Sequence, residues 1–221
     1  MKLLIKFPTR NRPDKFIEVL NLYYSMLSDT DNTEFIISCD LDDITMNNYD
    51  MKYKLSKYIN LSVFYSENET KVDAINNNLA NVDFDILLLA SDDMIPKIYG
   101  YDSIIRQEME NNYPNYDGVL WFNDGLQGNR LNTLSILGRE YYKRFNYIYH
   151  PSYKSVWCDN EFMDVANLLN KQIYINKIII KHEHYSIGCC NKDETYIKNE
   201  TFDIINYDKI NYESRRKNNY K

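Results

Sequence analysis

The sequence predicts an α/β fold, a Rossmann-like and mostly parallel central sheet with helices on both faces. Two patterns predict it. In the first half, short apolar runs rich in β-branched residues alternate with segments whose apolar positions recur at helical spacing. Alternation of that kind builds a parallel sheet covered on both sides. Charged residues then follow three of the strands, and sheets of this type gather ligands at the carboxyl ends of their strands.

"KLLIKFP" is the first expected strand, and "PDKFIEVLNLYYSML" is a helix with Phe16, Val19, Leu20 and Tyr23 on one stripe. "TEFIISCD" is the second strand, "MKYKLSKYI" the next helix, "LSVFYS" a short third strand and "KVDAINNNLANV" a further helix. "FDILLLAS" is the most apolar strand of the set and runs straight into Asp92 and Asp93. The second half is less regular. "YDGVLWFNDG" reads as a buried strand ending in an Asn-Asp-Gly turn, and "SVWCDNEFMDVANLLNK" as a loop entering a helix. "QIYINKIIIKHEHYS" reads as one long or two short strands, and "NYDKINYESRRKNNYK", from residue 206, as a polar, basic, frayed or helical tail.

At 221 residues the chain is long enough for one sizeable core, and no repeat or linker divides it. Its formal net charge of -6 argues against general nucleic-acid binding. No apolar run reaches the roughly 18 residues that span a bilayer, and "MKLLIKFPTR" is too quickly broken for a signal peptide, so a cytoplasmic location is expected. Cys39, Cys158, Cys189 and Cys190 lack paired zinc spacing and read as reduced structural thiols.

Asp92 and Asp93 pose the sharpest question, because burying two like charges without a cation costs several kcal/mol. A divalent ion is the expected cation, with a turn at Met94-Ile95-Pro96 bringing both carboxylates to it. Mg2+ and Mn2+ suit carboxylate, water and phosphate oxygens. The plainer reading is a solvated loop with Asp92 as a helix cap. "PTRNRP" offers Thr9, Arg10 and Arg12 for phosphate, since arginine contacts it bidentately. Asp40 can accept from a ribose hydroxyl or a base imide, or form a turn. His182 and His184 share one face of an extended chain, and His184 is the expected metal ligand. Asp159 and Glu161, at a helix entry, are candidate general bases or a negative first turn that favours the helix dipole. Trp121, Asn123 and Asp124 combine an aromatic with polar groups suited to an acceptor sugar, or form an ordinary core and turn. No GxGxxG or GxxxxGK[ST] is present.

Taken in order, "FPTRNRP", "SCDLDD", "NETKVDAINNNLA", "ASDDM" and "WCDNEF" resemble the motifs of a GT-A type nucleotide-sugar glycosyltransferase of the inverting family 2 kind. "ILGREYYKRFNYIYHPSYKS" is similar to a stretch of such enzymes from phages and bacteria, and the likeness runs to about residue 205. It implies one domain over 1–205, with 1–95 as the nucleotide-binding half and 96–205 as the acceptor and catalytic half, followed by a tail over 206–221. It implies transfer of a sugar, with UDP favoured as the nucleotide, to a glycan or other acceptor hydroxyl with inversion.

By the same resemblance Asp93 is the principal Mn2+ or Mg2+ ligand, Asp92 sits at the ribose or the metal, and His184 completes the metal shell. Asp40 meets the uracil or ribose, Thr9, Arg10 and Arg12 border the nucleotide, and Lys71 and Asn76 approach it. Asp159 is preferred to Glu161 as base. Ser91 stands where a strict DxD has its first Asp, and "DNE" departs from the usual Glu-Asp. A nucleotidyltransferase and a non-catalytic nucleotide-sugar or glycan-binding module are the alternatives. The basic tail, with Lys209, Arg215, Arg216, Lys217 and Lys221, is either a solvated end or a weak contact for an anionic membrane.

Overall fold

The computed structural model describes residues 1–184 and 194–221, so Cys189 and Cys190 lie outside the described residues. Seven strands form the central sheet: β1 (Leu3–Thr9), β2 (Thr33–Asp40), β3 (Leu61–Ser66), β4 (Ile86–Leu89), β6 (Val119–Phe122), β7 (Ile136–Gly138) and β8 (Gln172–Ile175). Their order is β3-β2-β1-β4-β7-β6-β8, and β7 alone runs antiparallel to its neighbours. The chain goes outward from β1 to β2 and β3, then returns to add β4 on the other side of β1. A crevice opens at such a reversal, between the loops after β1 and β4.

Strand side chains alternate between faces, and β1 shows how this builds two cores. Leu3, Ile5 and Phe7 pack with α1 (Pro13–Ser25), α2 (Tyr49–Leu55) and α4 (Tyr101–Asn112), whereas Leu4 faces α3 (Lys71–Asn76), α5 (Arg139–Tyr142), α6 (Cys158–Leu168) and α8 (Phe202–Lys217). Phe16, Val19, Leu20 and Tyr23 form the buried stripe of α1, as their spacing predicts.

Lys6 shares the Leu4 face and is completely buried. Its ammonium donates to Ser38 Oγ and, at 2.6 Å, to the Asn77 carbonyl. Burial lowers its pKa to about 7. The same contact helps end α3 at Asn76 rather than carrying it through "NNNLANV": Asn77 is extended and Asn78 has φ 66°. Asparagines take this left-handed turn more readily than most residues.

Two further differences concern the second half. Met94–Pro96 is strand β5, paired antiparallel with β9 (Ile180–His182), and the expected turn falls earlier, at Asp92-Asp93, with the Met94 N–H donating to Ser91 O at 3.1 Å. "QIYINKIIIKHEHYS" therefore supplies strands to two different sheets. The polar tail belongs to α8, which crosses the expected boundary near residue 205. Asp208 is fully buried and accepts from the amides of Lys154, Ser155 and Val156 at 2.9, 2.8 and 2.9 Å. Helix α8 buries an aspartate and a tyrosine instead of an aliphatic stripe, so period counting passes over it.

Cys39 and Cys158 are buried thiols, and burial pushes Cys39 up to about 12, as expected of structural cysteines. Among the described residues, no helix is long and apolar enough to cross a membrane.

Candidate active site

A cleft of about 400 Å³ lies at the carboxyl ends of β1, β2 and β4. Thr9, Arg10 and Arg12 enter from the first strand end, Asp40 from the second, and Asp92 and Asp93 from the fourth. Lys71, at the start of α3, and Asp159, at the start of α6, line the same space with His182 and His184.

The two aspartates are not without a cation, as the bare sequence suggests. Arg12 Nη1 donates to Asp92 Oδ1 at 2.6 Å, an ion pair that spans the crevice between the β1 and β4 loops. Asp93 accepts from Tyr196 at 2.7 Å and from Ser91, and His182 Nε2 stands 3.6 Å away. Burial would raise the Asp93 pKa, but His182, Ser91 and Tyr196 outweigh it and hold the carboxylate well below its ordinary range. Arg10 pairs with Asp40 and bidentately with Asp42 at 2.5 and 2.9 Å. Asn68 links Asp40 to Asn77 by bonds of 2.7 and 2.6 Å. Among the described residues, Thr9 Oγ1 and Arg10 Nε are buried with no hydrogen-bond partner, a deficit that a bound polar ligand would fill.

His182, rather than the expected His184, is the imidazole next to Asp93. Its backbone N–H donates to Asp124 O at 2.8 Å, and its ring lies between Asp93 and Asp124, 3.6 Å from each carboxylate. Burial alone would lower its pKa, yet Asp124 and Asp93 raise it to about 9. His184 faces Glu200 at 3.7 Å and the Tyr196 ring at 5.1 Å. Both assignments follow from β5–β9 pairing, which sets Met94 opposite His182.

Glu161 and Asp159 separate cleanly. Glu161 is buried outside the cleft, accepting from Arg215 Nε and Nη2 at 2.7 and 2.8 Å and from the Tyr153 hydroxyl at 2.8 Å. Those bonds make it a strut between α6 and α8. Asp159 faces the cleft, where burial pushes its pKa up while Lys71 draws it down.

Four other expected site residues also stand outside the cleft wall. Asn76 braces the Ile148–Tyr149 backbone, accepting from both amides at 2.9 and 3.2 Å and donating to Tyr149 O at 2.7 Å. Trp121 is buried edge-on against Tyr174 at 5.0 Å. Asn123 stabilises its own turn through the Gly125 amide at 2.9 Å. Asp124 accepts from the amides of Leu126, Gln127 and Gly128 and from Thr133, and orients His182 from behind.

The cleft also holds residues that sequence reasoning passed over: Asn68, Lys154, Trp157 and Tyr196. Tyr196 belongs to α7 (Glu194–Asn199) and carries the Arg12 guanidinium 4.3 Å from its ring centroid. Trp157, directly before "CDNEF", was the one detectable from sequence, by its place beside a candidate base.

Among the described residues, no three His, Cys, Asp or Glu side chains converge as a ready-made metal cage. Asp93 and His182 nevertheless stand side by side, and His182, on giving up its ring proton, offers a nitrogen beside the Asp93 oxygen. That donor set fits Mn2+ or Mg2+ completed by water and phosphate oxygens. Asp124 stands at the other ring nitrogen of His182, as carboxylates do behind metal-binding imidazoles.

The architecture is a GT-A-like fold. The chain is similar in fold to a mannosyltransferase, PcManGT from Pyrobaculum calidifontis solved with GDP-Man and Mn2+, with TM-score 0.66 and 12% identity over 82% of this chain and 56% of that one. It is also similar to S. aureus TarS 1-349 in complex with UDP-GlcNAc, with TM-score 0.64 and 18% identity over 90% of this chain and 64% of that one. Against TarS it matches at TM-score 0.64 with 16% identity, covering 83% of this chain and 37% of TarS. The chain thus spans between about a third and two thirds of the length of these neighbours. No protein-family model matches the sequence. No curated protein matches it either.

Proposed function

We propose that this chain is a glycosyltransferase that moves a sugar from a nucleotide-sugar donor to an acceptor hydroxyl, with inversion at the anomeric carbon. One observation carries the reading: a single cleft at the crevice of this fold brings together two carboxylates of opposite character. Asp93 is held ionised by its donors, whereas burial shifts Asp159 toward holding a proton. Divergent environments for two carboxylates are the mark of divided roles.

On the donor side, Arg10, Asp40 and Asn68 surround the nucleoside, and the orphaned Thr9 hydroxyl and Arg10 Nε supply further polar contacts. Arg12 and Lys71 face the diphosphate. UDP is the favoured nucleotide, in line with TarS structures that carry UDP and UDP-GlcNAc. Asp93 and His182 would hold Mn2+ or Mg2+, with Asp92 and His184 near by and Asp124 fixing the His182 ring. The bound ion supplies Lewis-acid neutralisation of the departing nucleoside diphosphate. Asp159 takes the proton of the acceptor hydroxyl as that oxygen bonds to the anomeric carbon and the bond to the diphosphate oxygen breaks.

A nucleotidyltransferase would favour a glycine-rich loop after β1, and "PTRNRP" has no glycine. A binding module would have no use for Asp159. The test is thermal unfolding with UDP, GDP, CDP and ADP, each with Mn2+, Mg2+ or EDTA. A nucleotide at a hundred times its dissociation constant adds about 2.7 kcal/mol, or roughly 2 to 4 °C per kcal/mol for a chain of this size. The expected result is a shift with one nucleotide that EDTA removes and Asp93→Ala abolishes. No shift with any nucleotide overturns the reading.

A further inference from the structure

Trp157 has three features that the donor side of the cleft does not explain. Its backbone is left-handed, with φ 62° and ψ -9°, a region that bulky residues rarely occupy. Strained backbone of this kind persists only where surrounding contacts impose it, and it concentrates at functional sites. Directly before it, the Asp208 carboxylate takes the amides of Lys154, Ser155 and Val156 and holds the turn that leads into Trp157.

The indole is half-buried, lines the cleft, and is backed by Tyr212 of α8 in a stacked arrangement with centroids 5.3 Å apart and planes at 29°. Tyr212 is itself fixed by donation to Asp164 Oδ2 at 2.8 Å. The ring therefore has a set orientation before any ligand arrives, which lowers the entropy lost on binding. Two residues on, Asp159 faces the same space, so one turn of chain presents an aromatic face and a proton acceptor together.

A pyranose matches that pair: its C–H face is apolar and its hydroxyl edge is polar. We infer that Trp157 is the platform on which the acceptor's sugar ring stacks, with one of its hydroxyls directed to Asp159, so that the acceptor is a glycan or glycoside. This rests on the glycosyltransferase reading and extends it by naming the acceptor class.

The chain has two tryptophans, and Trp121 is buried away from the cleft. Trp121→Phe in the full chain therefore leaves Trp157 as the sole indole reporter. With UDP and Mn2+ present, this protein is titrated with the methyl glycosides of glucose, galactose, mannose and N-acetylglucosamine, with glycerol as the polyol control. The expected result is a saturable change in tryptophan fluorescence with at least one glycoside and none with glycerol.

In the otherwise native chain, Trp157→Leu weakens that glycoside, measured by calorimetry, by roughly tenfold, or about 1.4 kcal/mol. Trp157→Phe restores most of the loss, and UDP affinity is the same in both variants. Absence of any glycoside response while UDP still binds overturns the acceptor assignment alone. A response to UDP that no glycoside adds to also overturns it, by placing the ring on the nucleotide. Failure to bind any nucleotide overturns the glycosyltransferase reading, and this assignment with it.

Discussion

Tyr196 donates its hydroxyl to Asp93 Oδ2 at 2.7 Å, on the carboxylate that in our reading holds the metal. The same ring lies under Arg12, which is committed to Asp92 at 2.6 Å, so α7 engages Asp93 directly and Asp92 through its partner. A cation reaching Asp93 competes with that hydroxyl. Tyr196→Phe is expected to tighten Mn2+ binding by about tenfold, since a hydrogen bond to a charged group contributes about 1.5 to 3 kcal/mol. Electron paramagnetic resonance of free Mn2+ reads the affinity directly, and unchanged affinity would show that the hydroxyl does not compete.

Asp159 and Glu161 should fail in different ways. Asp159→Asn is expected to lower transfer by at least about a hundredfold, the usual contribution of a general base, with nucleotide binding intact. Because burial raises the Asp159 pKa, the base is inactive when protonated, and activity should rise with pH through that raised value. Glu161→Gln leaves the half-buried Arg215 without its counter-charge and should cost up to about 3 kcal/mol, visible as a fall in Tm. Equal losses of activity at equal stability in the two variants would contradict the separation.

Lys6 makes stability depend on pH in a defined direction. Its pKa falls from the ordinary lysine value of 10.5 to about 7 on folding, so the unfolded chain binds the extra proton between those values. Stability should therefore rise from pH 7 toward pH 10.5, and the cost of charging the buried lysine builds up as pH falls through that interval and is complete near pH 7. Lys6→Met removes the titrating group, and the difference between the two proteins in urea midpoint should vary across that interval. A constant difference would mean that Lys6 titrates alike in both states.

The C-terminal helix is expected to be part of the working structure. Asp208→Ala leaves three amides of the 154–156 turn without their acceptor and should cost about 3 kcal/mol, at the upper end for bonds to a charged group. Since the turn carries Trp157 and leads into Asp159, transfer should fall more steeply than stability alone accounts for. Limited proteolysis near residue 156, compared between the two proteins, checks the local loosening.

What could be read without coordinates was whatever depends on neighbours in sequence. The strands β1 to β4 and the stripe of α1 follow from runs of apolar residues at fixed period. The strand-end motifs bearing Thr9, Arg10, Arg12, Asp40, Asp92 and Asp93 could be placed at the sheet's carboxyl edge because a parallel sheet leaves them nowhere else to go. The helix α8 was visible only as a polar tail, for its buried side depends on Asp208, Tyr212 and Arg215 meeting groups some fifty residues earlier.

Partnership was decided by tertiary structure alone. The sequence set two carboxylates at the end of a buried strand but could not say that Arg12, eighty residues away, pairs with Asp92. It offered two histidines two residues apart, and only the pairing of β5 with β9 put His182 beside Asp93. It offered two acids in one helical turn, and packing against α8 gave Glu161 to Arg215 while leaving Asp159 to the cleft. Local pattern fixes which face a side chain takes within its own element. Which charge it meets there depends on how distant elements pack, because electrostatic interactions act across space between groups that no short window of sequence contains.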